Sequence, residues 1–258
     1  MRILITNDDG AYSEGIRLLA LELHKEHDVM IVAPNTEKSG ASHSLTFQVP
    51  LLAKKVRPAG IPEEIPVYAV AGSPADCAKL GLGNFMPDAD IVVSGINHGG
   101  NMGADVFYSG TVGAATEAAF NGKPAIAVSM DSYHAQHMQS AAVAARHAVR
   151  YIIEHPMPKF HVLNVNVPDL PLNEIKGTRL ARLCLQDQCG PYIERVDPFE
   201  RPYYWVGADY LKLEPESEGT DRYCATEGYI VVTPLKVDRT AYDLMEQMGQ
   251  DGLDFSND

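Results

Sequence analysis

Hydrophobic and polar positions along the first two thirds of the chain switch between two periods. Residues 2–6 form a short apolar run ended by polar turn residues, the pattern of a strand buried on both faces. Ile16, Leu19, Ala20 and Leu23 then recur at helical spacing behind Ser13, a suitable N-cap. Val29–Ala33 reads as the second strand, stopped by Pro34, and Val67–Ala71 as the third. Ser73-Pro74 opens another helix with proline in its first position. Asp90–Ser94 is a further buried strand, and residues 111–121 look helical, ending at Asn121-Gly122. Pro124–Met130 gives another strand, and His137–His155 a long Ala-rich helix closed by Pro156. This alternation predicts an α/β fold with a mostly parallel sheet and helices on both faces. Past residue 168 the runs shorten and prolines and aromatics increase. Thr178–Leu183, Pro202–Val206 and Gly228–Leu235 read as strands with hairpin-like spacing, so a β-rich extension over 169–258 is expected to follow a core of 1–168.

Composition narrows the picture. Of 258 residues, 45% are apolar and 21% charged, enough to build one large core with an appended piece. The net charge of −13 repels polyanions, so stable nucleic-acid binding is not expected. A small phosphate ester is compatible with it, because one bound divalent cation reverses the local sign. The acidic cluster of Glu214, Glu216, Glu218 and Asp221 reads as solvated surface, and Asp251, Asp254 and Asp258 as a frayed tail. Cys77, Cys184, Cys189 and Cys224 match no zinc template, and a reduced cytoplasmic chain is expected. The first apolar run is too short for a signal peptide and no stretch approaches a membrane span.

The candidate chemistry gathers at strand ends, where open α/β sheets bind ligands. Asn7-Asp8-Asp9-Gly10 follows the first strand, Thr36–Ser42 the second, and Ser94-Gly95-Ile96-Asn97 closes the strand that starts at Asp90. Adjacent carboxylates repel, and a metal ion between them resolves the conflict; Gly10 permits the turn that would bring both to one ion. A solvated turn with an Asp cap is the plain alternative. The glycine-rich loop from Asn97 to Gly103 runs on to Tyr108-Ser109-Gly110-Thr111 at a helix start. There backbone N–H groups and the helix dipole suit an anion, although a long connection capped by Ser109 fits the same residues. It is neither a Walker A loop nor a dinucleotide fingerprint. Ser39, Ser42 and Ser44 lie where hydroxyls could complete a metal shell, and His43 and His98 fall inside the candidate site. The oxygen donors Asp8, Asp9, Asn97 and Ser39 favour Mg²⁺ or Mn²⁺ over zinc.

The runs Ile5-Thr6-Asn7-Asp8-Asp9-Gly10, Ala33-Pro34 with Ser39-Gly40, Ser94-Gly95-Ile96-Asn97 with Gly99 and Asn101, and Tyr108-Ser109-Gly110-Thr111-Val112-Gly113-Ala114-Ala115 resemble the successive signatures of the SurE family of 5′/3′-nucleotidases. Tyr204-Trp205-Val206-Gly207, Gly219-Thr220-Asp221 and Gly228–Leu235 are similar to its C-terminal half. The resemblance implies a Rossmann-like three-layer sandwich with 1–168 as catalytic core. It also implies a homodimer or homotetramer that exchanges segments of 169–258. The implied activity is phosphomonoester hydrolysis of nucleoside 5′- and 3′-monophosphates, with polyphosphate shortened by some members. By motif, Asp8, Asp9, Ser39 and Asn97 would ligate one divalent metal ion per subunit, Asn101, Ser109, Gly110 and Thr111 would face the phosphate, and Asp8, Asp9 and Asn97 would be catalytic. Thr116-Glu117-Ala118-Ala119 departs from the family's more frequent Glu-Gly. A haloacid-dehalogenase-like phosphatase would need Asp residues two apart, which Asp8-Asp9-Gly10 does not supply. A metal-dependent nucleotide-binding regulatory protein without turnover remains the alternative from a different class.

Overall fold

The computed structural model describes residues 1–185, 190–207 and 217–255. Its main sheet has nine strands: β1 (Arg2–Thr6), β2 (Asp28–Pro34), β3 (Ala53–Val56), β4 (Val67–Val70), β5 (Ile91–His98), β6 (Ala125–Met130), β7 (His161–Val167), β8 (Thr178–Leu180) and β11 (Ile230–Lys236). They lie in the order β3-β4-β2-β1-β5-β6-β7-β11-β8. The central run from β4 to β7 is parallel; β3 and β11 are antiparallel to β4 and β7, and β8 is parallel to β11. A separate antiparallel ribbon joins β9 (Gly190–Val196) and β10 (Pro202–Gly207).

Helices cover both faces of the sheet. Ile3 and Ile5 of β1 point to the face packed by α1 (Glu14–Leu23) and α5 (Met138–Glu154), while Leu4 between them points to the other, packed by α2 (Pro74–Leu80) and α4 (Gly110–Phe120). Burial on both sides is why these strands read as unbroken apolar runs. Local signals start the helices as expected. Ser13 accepts the Ile16 N–H to begin α1, and Ser73 and Asp76 form a reciprocal capping box on α2. A π-helical turn, Gly81–Phe85, extends α2. At Gly15 the packing is very close: a Cβ there would lie 2.1 Å from the Ile96 carbonyl oxygen, so α1 rests directly on the backbone of β5.

Several expectations are corrected. β3 is an exposed antiparallel edge strand, and its Lys54-Lys55 pair gives no apolar signal. In β7, Asn164 and Asn166 alternate with valines and interrupt the apolar run, yet both are fully buried. β8 and β11 do not form a hairpin, because they run parallel side by side at the sheet's end; the hairpin is β9–β10. α3 (Asp105–Tyr108) lies within the stretch read as loop, and α6 (Asp221–Thr226) and α7 (Tyr242–Gln250) were not expected. Asp221 is wholly buried rather than solvated, since its carboxylate has backbone donors to accept. Glu214, Glu216, Asp258 and Cys189 lie outside the described residues; Cys77, Cys184 and Cys224 are free thiols.

Candidate active site

From β1 the chain winds one way through β2 and β4, and later the other way through β5, β6 and β7. The sheet's switch point therefore falls between β1 and β5, paired from Ile3↔Ile91 to Thr6↔Ser94, and a ligand crevice is expected above their carboxyl ends. Asp8 and Asp9 leave β1 there, and Asn97 stands near the end of β5, inside the strand rather than in the loop after it.

The turn after β1 is closed by Asn7. Its Oδ1 accepts the Gly10 N–H at 3.1 Å, and its Nδ2 donates to the Gly10 carbonyl at 3.1 Å and to Ser13 Oγ at 2.8 Å. Gly10 adopts φ +100°, a conformation few side chains tolerate. The turn gives the two acids different partners. Asp8 is 4% exposed and faces the start of α4, where Thr111 donates its hydroxyl to Oδ1 and its N–H to Oδ2 at 3.0 Å. Gly110 admits this approach, as a Cβ there would sit 2.9 Å from Asp8 Cβ. Burial raises the Asp8 carboxyl to about 6 against the pull of the Thr111 donors, and the neighbouring Asp9 charge adds to the rise. Asp9 is more open. Its Oδ2 accepts the His98 N–H at 3.3 Å and meets His98 Nδ1 at 3.4 Å; burial raises its pKa too, with His98 opposing.

Asn97 donates Nδ2 to the Gly99 carbonyl at 2.7 Å, which leaves Oδ1 as its remaining donor atom toward a cation. The loop after β2 is brought to Asp8 by Lys38, whose N–H donates to the Asp8 carbonyl at 2.7 Å. The next residue, Ser39, is exposed and donates its hydroxyl to Glu37 Oε1 at 2.6 Å, rather than to either member of the acid pair. Ser109 accepts the Val112 N–H at 3.1 Å and so caps α4, while its own hydroxyl proton is still available to an anion beside Gly110 and Thr111. Asn101, within the glycine-rich loop, is buried. It donates Nδ2 to Ser129 Oγ at 2.7 Å and its N–H to Asn166 Oδ1 at 2.8 Å, and its carbonyl accepts from Asn164 and Asn166 at 2.8 and 3.2 Å.

Several members of this region were missed at the sequence level. Ser129, Asn164 and Asn166 pin the loop from below, and the only trace they leave is a polar residue inside an apolar strand. Asp221 clamps the loop's far end, accepting the Gly103 N–H at 2.7 Å and the Cys184 N–H at 2.9 Å. A cleft of about 1160 Å³ opens beside α4, lined in part by Ser42, His43, Phe107 and Arg239. Ser109 and Val112 of α4 line it, whereas Asp8, Asp9 and Asn97 do not, so the acid pair lies outside it. Among the described residues no three His, Cys, Asp or Glu side chains are grouped to hold a metal. A cation here would therefore have to draw amide and hydroxyl oxygens along with the two carboxylates, a hard donor set.

Fold and site together define an open α/β protein of the Rossmann-like kind, with paired acids and a helix N-terminus meeting at its switch point. A family model described as "Survival protein SurE" matches residues 3–189, and the chain belongs to the SurE family. It is 43% identical over 248 residues to a protein named 5′-nucleotidase SurE from Legionella pneumophila subsp. pneumophila strain Philadelphia 1, covering 96% of each chain. Against the protein of the same name from Aeromonas hydrophila the identity is 44% over 250 residues, covering 96% of this chain and 97% of the other. The crystal structure of the SurE protein from Aquifex aeolicus superposes with a TM-score of 0.83 at 34% identity, over 98% of this chain and all of that one.

Proposed function

We propose that this protein is a metal-dependent 5′-nucleotidase, a phosphoric monoester hydrolase that converts nucleoside 5′-monophosphates, and 3′-monophosphates as well, to nucleoside and phosphate, with polyphosphate as a further substrate. One observation carries the reading: a buried carboxylate, Asp8, adjoins a second acid and is held by the first residues of α4 at the switch point. A cation relieves the first feature and an anion suits the second, and a metal-bound phosphate ester brings both. The names of the relatives support the same activity.

In this reading Asp8, Asp9, Asn97 and Ser39 hold one divalent ion per subunit, Mg²⁺ or Mn²⁺. When bound, that ion polarises a phosphoryl oxygen and acidifies a water. The rest is done by the chain. Thr111 fixes the Asp8 carboxylate so that it cannot swing away, and His98 does the same for Asp9. The Gly110 amide, the Ser109 hydroxyl and the second Nδ2 proton of Asn101 orient the phosphate, while Thr111, whose N–H and hydroxyl both donate to Asp8, faces the same place through that carboxylate. Asp9, more open than Asp8 and in contact with His98, accepts the proton of the attacking water. Ser39 must turn from Glu37 to take part. Residues 1–168 serve as the catalytic core, and segments of 169–258 are exchanged in a cytoplasmic homodimer or homotetramer. Among the described residues no helix is long and apolar enough to cross a membrane.

The test is a panel of 5′- and 3′-mononucleotides and polyphosphate, assayed for released phosphate with Mn²⁺, Mg²⁺ and a chelator. Release from mononucleotides that the chelator abolishes is expected. Binding of mononucleotides without release would leave a regulatory protein instead.

A further inference from the structure

The segment between β2 and β3 carries Ser39 and lies across the N-termini of α2 and α4. Ser42 donates its N–H to the Tyr108 carbonyl at 2.9 Å and its hydroxyl to the Phe107 carbonyl at 2.7 Å. The Ser42 carbonyl presses on α4 so closely that a Cβ on Gly113 would lie 2.3 Å away. Farther on, Ser73 Oγ donates to the Ser44 carbonyl at 2.6 Å, and Thr46 meets Asp76 through its N–H at 2.9 Å and its hydroxyl at 2.6 Å.

Between these attachments His43 reaches down to Glu117, two turns along α4, with Nε2 2.8 Å from Oε2. Glu117 is an unusual anchor. Its side chain is 3% exposed, and its other oxygen, Oε1, is already taken by Lys79 Nζ of α2 at 2.7 Å and by Asn121 Nδ2 at 2.9 Å. Those two partners fix the carboxylate plane and leave Oε2 directed at His43. Burial opposes its ionisation, but the bonds from His43, Lys79 and Asn121 outweigh burial and hold it as a carboxylate down to about 2. A fixed negative charge thus grips a ring that is only about one-third exposed on an otherwise polar segment.

We propose that Glu117 and His43 form a latch that positions the Ser39 segment over the crevice, so that the pair sets affinity for the metal ion and the mononucleotide without touching either. This rests on the nucleotidase reading above. Neither residue has a part in the phosphate cradle, and each acts only through the segment it holds.

The experiment uses the full chain with His43→Ala, His43→Gln and Glu117→Gln. Mn²⁺ affinity is measured by the electron paramagnetic resonance signal of free Mn²⁺, and KM and kcat with adenosine 5′-monophosphate. Loss of one charge-assisted hydrogen bond should raise the Kd for Mn²⁺ and the KM about tenfold in His43→Ala, with kcat within about twofold of wild type. His43→Gln, whose amide can still donate to Oε2, should recover most of the loss. Glu117→Gln tests the other end of the latch and should move both constants the same way. Unchanged Kd and KM in His43→Ala, with only a lower melting temperature, would overturn the latch and leave the pair as ordinary packing. Wild-type protein that binds no Mn²⁺ and releases no phosphate would overturn the nucleotidase reading with it, an outcome distinct from variants that match an active wild type.

Discussion

At the scale of single residues, the acids after β1 differ because of what each faces. Asp8 is sealed against α4 and satisfied by Thr111, whereas Asp9 stays reachable beside His98. Asp9→Asn should therefore lower turnover by roughly 10²–10⁴-fold while the melting temperature and circular dichroism stay near wild type. Turnover within a few fold of wild type would remove Asp9 from the reaction. Glu117 makes a separate prediction about pH. Its folded-state pKa, about 2, lies below the ordinary 4.5, so its contribution to stability is fully present above 4.5 and is lost as pH falls toward 2. Urea denaturation of wild type and Glu117→Gln should show a gap that narrows across that window, by on the order of 3 kcal/mol. A gap independent of pH would mean the carboxylate is not held ionised by its partners.

At the scale of elements, the crevice depends on how α1 and α4 seat against strand ends. Gly15 lets α1 lie on the Ile96 carbonyl, one residue before Asn97. Gly15→Ala forces the helix or the strand to move and should destabilise the protein by roughly 1–3 kcal/mol. Because the displaced backbone is that of β5, mononucleotide turnover should fall as well. A stable Gly15→Ala protein with full activity would show that the contact relaxes without reaching Asn97. α4 is held at both levels, by Asp8 at its first turn and farther down by Lys79 and His43 on its Glu117, so the helix has little freedom to tilt.

For the whole molecule, two features point outward. The β9–β10 ribbon exposes Tyr192, Tyr203, Tyr204 and Trp205, and α7 buries none of its residues although Leu244, Met245 and Met248 lie along it. Apolar surface presented this way marks interaction sites. Sedimentation should give a mass of two or four times 28.1 kDa, and Trp205→Glu or removal of residues 241–258 should shift it downward. A wild-type monomer at micromolar concentration would end the proposal of exchanged segments.

Much of this architecture could be read without coordinates. β1, β2, β5 and β6 are buried on both faces, so their apolar runs announce them, and Ser13, Ser73 and Pro74 mark helix starts through bonds made within four residues. The Asp8-Asp9-Gly10 turn and the Ser109-Gly110-Thr111 helix start are equally local, which is why their motifs were legible. What was hidden is long-range pairing. Thr111 meets Asp8 across 103 positions and His43 meets Glu117 across 74, and neither spacing leaves a periodic trace. Asn164 and Asn166 even weaken the strand signal of β7, because their side chains serve a loop that only the packed sheet brings above them. The order of residues thus settles which stretches bury themselves and which turn, since those preferences act over a few bonds. Which acid is sealed, which helix end faces it and which charge grips the covering segment depend on contacts that exist only once the sheet has closed.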